Sequence, residues 1–175
     1  MLTGLHFLLT YRCLYECDHC FLYCGPQAEG TFTIAQIEEA IKQAVDAGIT
    51  SIYVEGGEPF LYYPLMLETL RLAKQHGLTT GIVTNCYWAT TERDAELWLH
   101  PLVEIGIDDL SVSDDVFHCD DTENSPAKVA IRAIEKLGLP VGAICIEAPT
   151  PLPQSMRGND GAVIGGDVLL KGRGG

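Results

Sequence analysis

The sequence predicts an α/β fold in which parallel strands carry helical cover, and three observations lead there. Short β-rich runs alternate with amphipathic stretches whose apolar positions recur every three to four residues. The strand-plus-helix unit returns at about 30 residues, the scale of a βαβ unit. The chemically suggestive side chains fall just after predicted strands and before the next helix, the edge at which parallel α/β folds build their sites.

Leu5–Thr10 reads as the first strand, followed by a loop bearing four cysteines. Thr33-Ile34-Ala35-Gln36 has the form of a capping box and opens a helix with Ile34, Ile37, Ile41 and Val45 on one face. Ser51–Glu55 is the second strand. Pro64 suits the first turn of the next helix and Gly77 its stop. Thr80–Thr84 is the third strand. A third helix covers Thr91–Leu99, with a continuation past Pro101 to Ile105 left open. Asp109–Ser113 is the fourth strand. Ser125-Pro126 supplies a cap and first helical position for a helix that ends near Gly138, and Val141–Ile146 is the fifth strand.

Beyond Glu147 the chain turns rich in proline and then in glycine. Val163–Leu170 is a candidate sixth strand, although no helix precedes it. Residues 1–147 are therefore expected to form the core domain. Residues 148–175 are expected to be a Pro/Gly-rich tail, the start of a truncated C-terminal region, because Lys171-Gly172-Arg173-Gly174-Gly175 resembles no natural domain end. Strand alternation alone fits an open doubly wound sheet and a (β/α) barrel equally.

The 175 residues suffice for one domain with a real core. No apolar run is long enough to cross a bilayer, so no membrane partner is expected. The N-terminus lacks a basic region and a small-residue cleavage site, which makes the cytoplasm the expected location. A net charge of −13 repels phosphate backbones and makes nucleic acid an unpromising partner. Seven cysteines, an odd number without a secretion signal, argue against a disulfide framework and for metal.

Cys13, Cys17 and Cys20 stand in a C-x3-C-x2-C pattern, with Cys24 following. Thiolates are the usual ligands of iron–sulfur clusters, and three of them leave one iron open to a cofactor or substrate. Two other readings of these residues stand beside that one. Zinc wants four N/S ligands, which Cys24 or His19 would complete. Cys17-x2-Cys20-x3-Cys24 is also similar to the end of a bacterial ferredoxin run. Further on, Gly56-Gly57-Glu58-Pro59 directly follows the second strand, where glycines admit a ligand close to backbone and Glu58 offers a carboxylate to an ammonium group. The zinc and ferredoxin readings predict nothing there.

The two motifs together resemble the radical S-adenosylmethionine (radical SAM) superfamily, over about Leu5–Glu147. The resemblance implies a partial (β/α)6-type barrel of parallel strands. It also implies a 4Fe-4S cluster on Cys13, Cys17 and Cys20, with S-adenosyl-L-methionine on the open iron. In that family the reduced cluster cleaves the sulfonium to a 5′-deoxyadenosyl radical, which abstracts hydrogen from a substrate. His19 stands where the family places an aromatic residue by the adenine. Gly56, Gly57, Glu58 and Pro59 match the motif that holds the cofactor's amino group. Asn85, Ser111, Ser113 and Asp114, at the ends of the third and fourth strands, fall where the family contacts carboxylate or ribose. Gly142-Ala143-Ile144 is similar to the opening of the adenine-packing motif and adds Ile144, although Ile146 occupies the place of that motif's later glycine.

The implied partners are a flavodoxin or ferredoxin reductant and a substrate that is a peptide, a partner enzyme or a small molecule. No catalytic residue is assigned. Asp115 and His118 read either as a proton donor or acceptor near the site or as a solvated turn; Cys86 and Cys119, just beyond strand ends, read as cavity-facing or, more commonly, packing thiols, and none is given a catalytic role. The alternatives are a non-catalytic zinc or electron-transfer module, in which Cys24 would be a ligand, and a cofactor-binding fragment without turnover.

Overall fold

The computed structural model describes residues 2–145 and, beyond them, the backbone of residues 150–151 and 164–165. Five strands form one sheet: β1 (Gly4–Thr10), β2 (Ser51–Gly56), β3 (Thr79–Thr84), β4 (Asp109–Ser113) and β5 (Gly142–Ile144). All four pairings are parallel and the order runs β1-β2-β3-β4-β5 without reversal. A doubly wound sheet reverses its strand order at a switch point, whereas a (β/α) barrel adds each strand beside the last. The order therefore decides what the strand pattern left open, in favour of a partial barrel.

Helices α1 (Ile34–Asp46), α2 (Tyr63–Gln75), α3 (Glu92–Ile105) and α4 (Pro126–Lys136) fill the crossovers. Right-handed crossovers that always step the same way put every helix on one face of the sheet. Accordingly α1 packs on α2, α2 on α3 and α3 on α4. The start of α1 is the capping box read from the sequence: the Thr33 hydroxyl accepts from Gln36 N–H, and the Gln36 side chain accepts from Thr33 N–H at 2.8 Å. Pro64 lies in the first turn of α2, and Gly77 follows its end with φ +74°. Helix α3 does run through Pro101. The proline removes one bond to the carbonyl of Leu97, a residue on the exposed side of the helix.

Strand alternation sorts the two faces of the sheet. Phe7, Leu9, Ile52, Val54, Ile82, Leu110 and Val112 point to the helices and are buried with Ile37, Ile41, Met66, Leu70, Leu99, Leu102 and Ile134. The opposite, inner face carries His6, Tyr53, Glu55, Val83, Ser111 and Ser113, which are half-buried or exposed.

Two expectations about the later chain change. The fifth strand is Gly142–Ile144, shorter than Val141–Ile146, with Ile146 outside the described residues. Of the candidate sixth strand only β7 (Ile164–Gly165) lies within the described residues, and it pairs antiparallel with β6 (Thr150–Pro151) rather than parallel with β5. A parallel neighbour needs a crossover of a dozen or more residues, usually helical, and that stretch contains no such sequence. The rest of the 148–175 tail lies outside the described residues.

Candidate active site

Strand β1 ends in backbone that grips both arms of the cysteine loop. Cys13 N–H donates to Gly25 O at 3.1 Å, and Gly25 N–H donates to Tyr11 O at 3.3 Å. Thr10 Oγ1 reaches forward to Gly30 O at 2.8 Å. The end of β2 closes on the same segment, with Gly57 N–H on Thr10 O at 2.7 Å and Glu58 N–H on Arg12 O at 2.9 Å. Gly56 has φ +126°, a conformation side chains rarely adopt. At Gly57 a Cβ would fall 2.1 Å from Arg12 O, so only glycine lets the two strand ends approach this closely. The Gly-Gly pair thereby fixes where Cys13 begins.

A cavity of about 280 Å³ opens at this carboxyl edge of the sheet. Cys13, Cys17, His19, Cys20, Gly56, Gly57, Asn85, Ser113 and Ile144 all line it. Residues 131 positions apart, from Cys13 to Ile144, are thus gathered around one space. Two donors are aimed at the Cys13 sulfur: Tyr15 N–H at 3.4 Å and Asn85 Nδ2 at 3.5 Å. Burial nonetheless pushes the Cys13 thiol up, with those two bonds opposing it. Asn85 is set by the turn after β3, in which its Oδ1 accepts from Tyr87 N–H and Cys86 adopts φ +60°.

Four predicted site residues do not line the cavity. Glu58 is fully buried and turned into the wall, where Oε1 accepts from Phe60 N–H at 3.0 Å and Thr84 Oγ1 at 2.9 Å, and Oε2 from Asn85 N–H at 2.8 Å. Its carboxylate is therefore not presented to an ammonium group; the side chain caps the helical turn that follows and fastens β2 to β3. Burial pushes it up to about 7, against the three donors. Pro59 opens that turn and is buried. Ser111 hydrogen-bonds to Asp109 at 2.9 Å, one layer deeper in the sheet. Asp114 turns aside to Ser125 Oγ at 2.9 Å and to Lys128 Nζ, tying β4 to α4.

Cys24, Asp115 and His118 line the same cavity, although sequence reasoning gave none of them a place in the cluster or cofactor set of the radical SAM reading. Asp115 is buried and its Oδ1 lies 2.8 Å from His118 Nδ1. Burial works to lower the His118 pKa, but the hydrogen bonds with Asp115 and with Cys17 outweigh it and push it up to about 9. His19 goes the other way, lowered by burial and then by His118. The Asp-x2-His spacing directly after a strand was the available signal.

A cluster fits these residues on donor chemistry. Three thiols face one cavity, N–H donors already address one sulfur, and the buried His19 Nδ1 has no hydrogen-bond partner among the described residues. Among the described residues, no three His, Cys, Asp or Glu side chains converge tightly enough to hold a single metal ion.

A sequence model of the Radical SAM superfamily matches residues 7–149. This chain belongs to the radical SAM superfamily. Membership brings a 4Fe-4S cluster and S-adenosyl-L-methionine as cofactors. The antilisterial bacteriocin subtilosin biosynthesis protein AlbA of Bacillus subtilis (strain 168) is 38% identical over 79 residues, 45% of this chain and 17% of that protein. The GTP 3′,8-cyclase of Actinobacillus pleuropneumoniae serotype 3 (strain JL03) is 27% identical over 111 residues, 61% of this chain and 31% of that protein. The chain thus spans less than a third of the curated relatives it matches. Among solved structures, methylornithine synthase (PylB) superposes with a TM-score of 0.60 at 17% identity, covering 81% of this chain and 44% of that one, a likeness of fold. Among the described residues no helix is long and apolar enough to cross a membrane.

Proposed function

We propose that the chain is the cofactor-binding core of a radical SAM enzyme that abstracts hydrogen from an organic substrate. Cys13, Cys17 and Cys20 hold the cluster, and the cavity they line takes S-adenosyl-L-methionine between the cysteine loop and the ends of β2 to β5. The observation that carries this reading is the convergence of three thiols, the Gly56-Gly57 turn, Asn85 and Ser113 on one cavity. When bound, the two cofactors supply a one-electron reductive cleavage of the sulfonium, with the electron delivered by a flavodoxin or ferredoxin.

The protein's own contribution is to bind, orient and shield. A Cβ at Gly56 would collide with Thr10 O at the end of β1, and one at Gly57 with Arg12 O, so the pair lets β2 close on the start of the cysteine loop while lining the cavity. His19 lines the cavity and packs on Phe117, with ring centroids 4.5 Å apart. Asn85 and Ser113 supply polar groups at the strand ends. Glu58 acts from within the wall, holding Asn85 in place.

The test is anaerobic reconstitution with iron and sulfide, followed by electron paramagnetic resonance of the reduced protein with and without S-adenosyl-L-methionine. Cys13→Ala, Cys17→Ala and Cys20→Ala are each expected to abolish the 4Fe-4S signal, and Cys24→Ala to retain it, with the signal shifting on addition of the cofactor. Loss of the cluster in Cys24→Ala, or a signal indifferent to the cofactor, would sink the open-iron reading.

A further inference from the structure

We infer that His118, oriented by Asp115, is a positioning residue that donates a hydrogen bond to the Cys17 sulfur and thereby sets the reduction potential of the cluster. The inference rests on the assignment of Cys17 as a cluster ligand.

The geometry begins with the turn after β4. Asp115 is buried, and its Oδ1 accepts from Phe117 N–H at 3.0 Å. Its carbonyl accepts from His118 N–H at 3.1 Å and Cys119 N–H at 3.2 Å, so the backbone wraps around this one residue. That wrapping brings His118 Nδ1 to 2.8 Å from the carboxylate. With Nδ1 held by Asp115, the other ring nitrogen is the donor His118 has left for the cavity it lines together with Cys17, and Cys17 is among its hydrogen-bond partners. A histidine locked through one nitrogen by a carboxylate presents a fixed N–H at the other.

The ring also meets two aromatic residues of the cysteine loop. Tyr15 meets it edge-on with centroids 6.2 Å apart, and His19 does so at 5.2 Å. Those two residues lie two positions before and two after Cys17. The turn after β4 therefore docks on the loop at this cysteine, from about 100 residues away in sequence. The Cys13 sulfur has donors of a different kind, a backbone N–H and an amide.

Hydrogen bonds to ligand sulfur are a principal lever on iron–sulfur potentials. An N–H drawn toward thiolate stabilises the more negative, reduced cluster and raises its potential. Removing the donor lowers it, so that a weak reductant no longer loads the electron.

The experiment compares wild type, His118→Phe, His118→Gln and Asp115→Asn after anaerobic reconstitution. Iron and sulfide content is read first, then the midpoint potential by redox titration followed by electron paramagnetic resonance. His118→Phe is expected to load iron as wild type does and to shift to a more negative midpoint. His118→Gln, which keeps an N–H, should recover part of that shift, and Asp115→Asn should shift the same way by less. A wild-type midpoint in His118→Phe overturns the inference while leaving the cluster assignment intact. Loss of the cluster from all three variants with folding intact also overturns it, reducing the pair to an architectural clamp. A wild-type protein that binds no cluster overturns both.

Discussion

Glu58 accepts hydrogen bonds from Phe60 N–H, Thr84 Oγ1 and Asn85 N–H within the wall beside the cavity. A carboxylate can accept on both oxygens, whereas an amide has one acceptor and one donor end. In Glu58→Gln some donor must therefore face another donor. The expected cost is about 1–3 kcal/mol, the penalty of a buried polar group left without its partner. Because burial raises this pKa to about 7, the native state binds a proton here more readily than the unfolded chain does. The resulting contribution to stability is complete below the ordinary carboxylate range and is lost as pH rises toward about 7. Urea unfolding of wild type at pH 5 and pH 8 should show that decline, and Glu58→Gln, which has no proton to lose there, should be flatter between the two. An equally steep decline in the variant would place the titration elsewhere. Why the wall placement of Glu58 was not legible in the sequence follows from its position. It leaves a strand end through a tight turn, where one dihedral decides between cavity and wall, and no periodicity records that choice.

The elements were more legible than the site because their signals are local. Thr33 with Gln36, Thr91, and Ser125 with Pro126 all write helix starts within four residues, and each is a cap in the structure. Asp115 and His118 meet Cys17 across the fold, so nothing near them in sequence announces the contact. Ser125 joins both kinds of information. Its hydroxyl accepts from Lys128 N–H at 3.2 Å, capping α4, and donates to Asp114 at 2.9 Å, tying the cap to the end of β4. The side chain is buried, so water cannot replace either bond. Ser125→Ala should cost about 1–2 kcal/mol, the value of a good cap with a second bond lost. Chemical denaturation checks this through a lower midpoint at unchanged slope. A loss within error of zero would mean that Lys128, which also holds Asp114, carries the junction alone.

At the scale of the molecule, the sequential parallel order makes the site a product of the whole sheet, since the loop after β1 and the ends of β2, β3, β4 and β5 line the same cavity. Sequence foresaw the strands but not the choice between barrel and doubly wound sheet. That choice resides in pairings between segments 28 to 47 residues apart, to which local pattern is blind. The described core clusters from Phe7 to Leu139 and closes over itself: every helix buries one face on the sheet or on the next helix. We propose on that basis that residues 1–147 are an autonomous folding unit. A chain shortened to them should unfold cooperatively, with a stability within about 0.5 kcal/mol of the 175-residue chain, as for changes that touch no buried contact. It should also take up iron and sulfide through Cys13, Cys17 and Cys20 to the same stoichiometry. Thermal and urea unfolding of both lengths decides the matter. A broadened transition, or a stability loss of several kcal/mol, would mean that the segment beyond Glu147 packs against the inner face or the β5 edge. The five-stranded sheet would then need that cover to hold the cavity open at its rim.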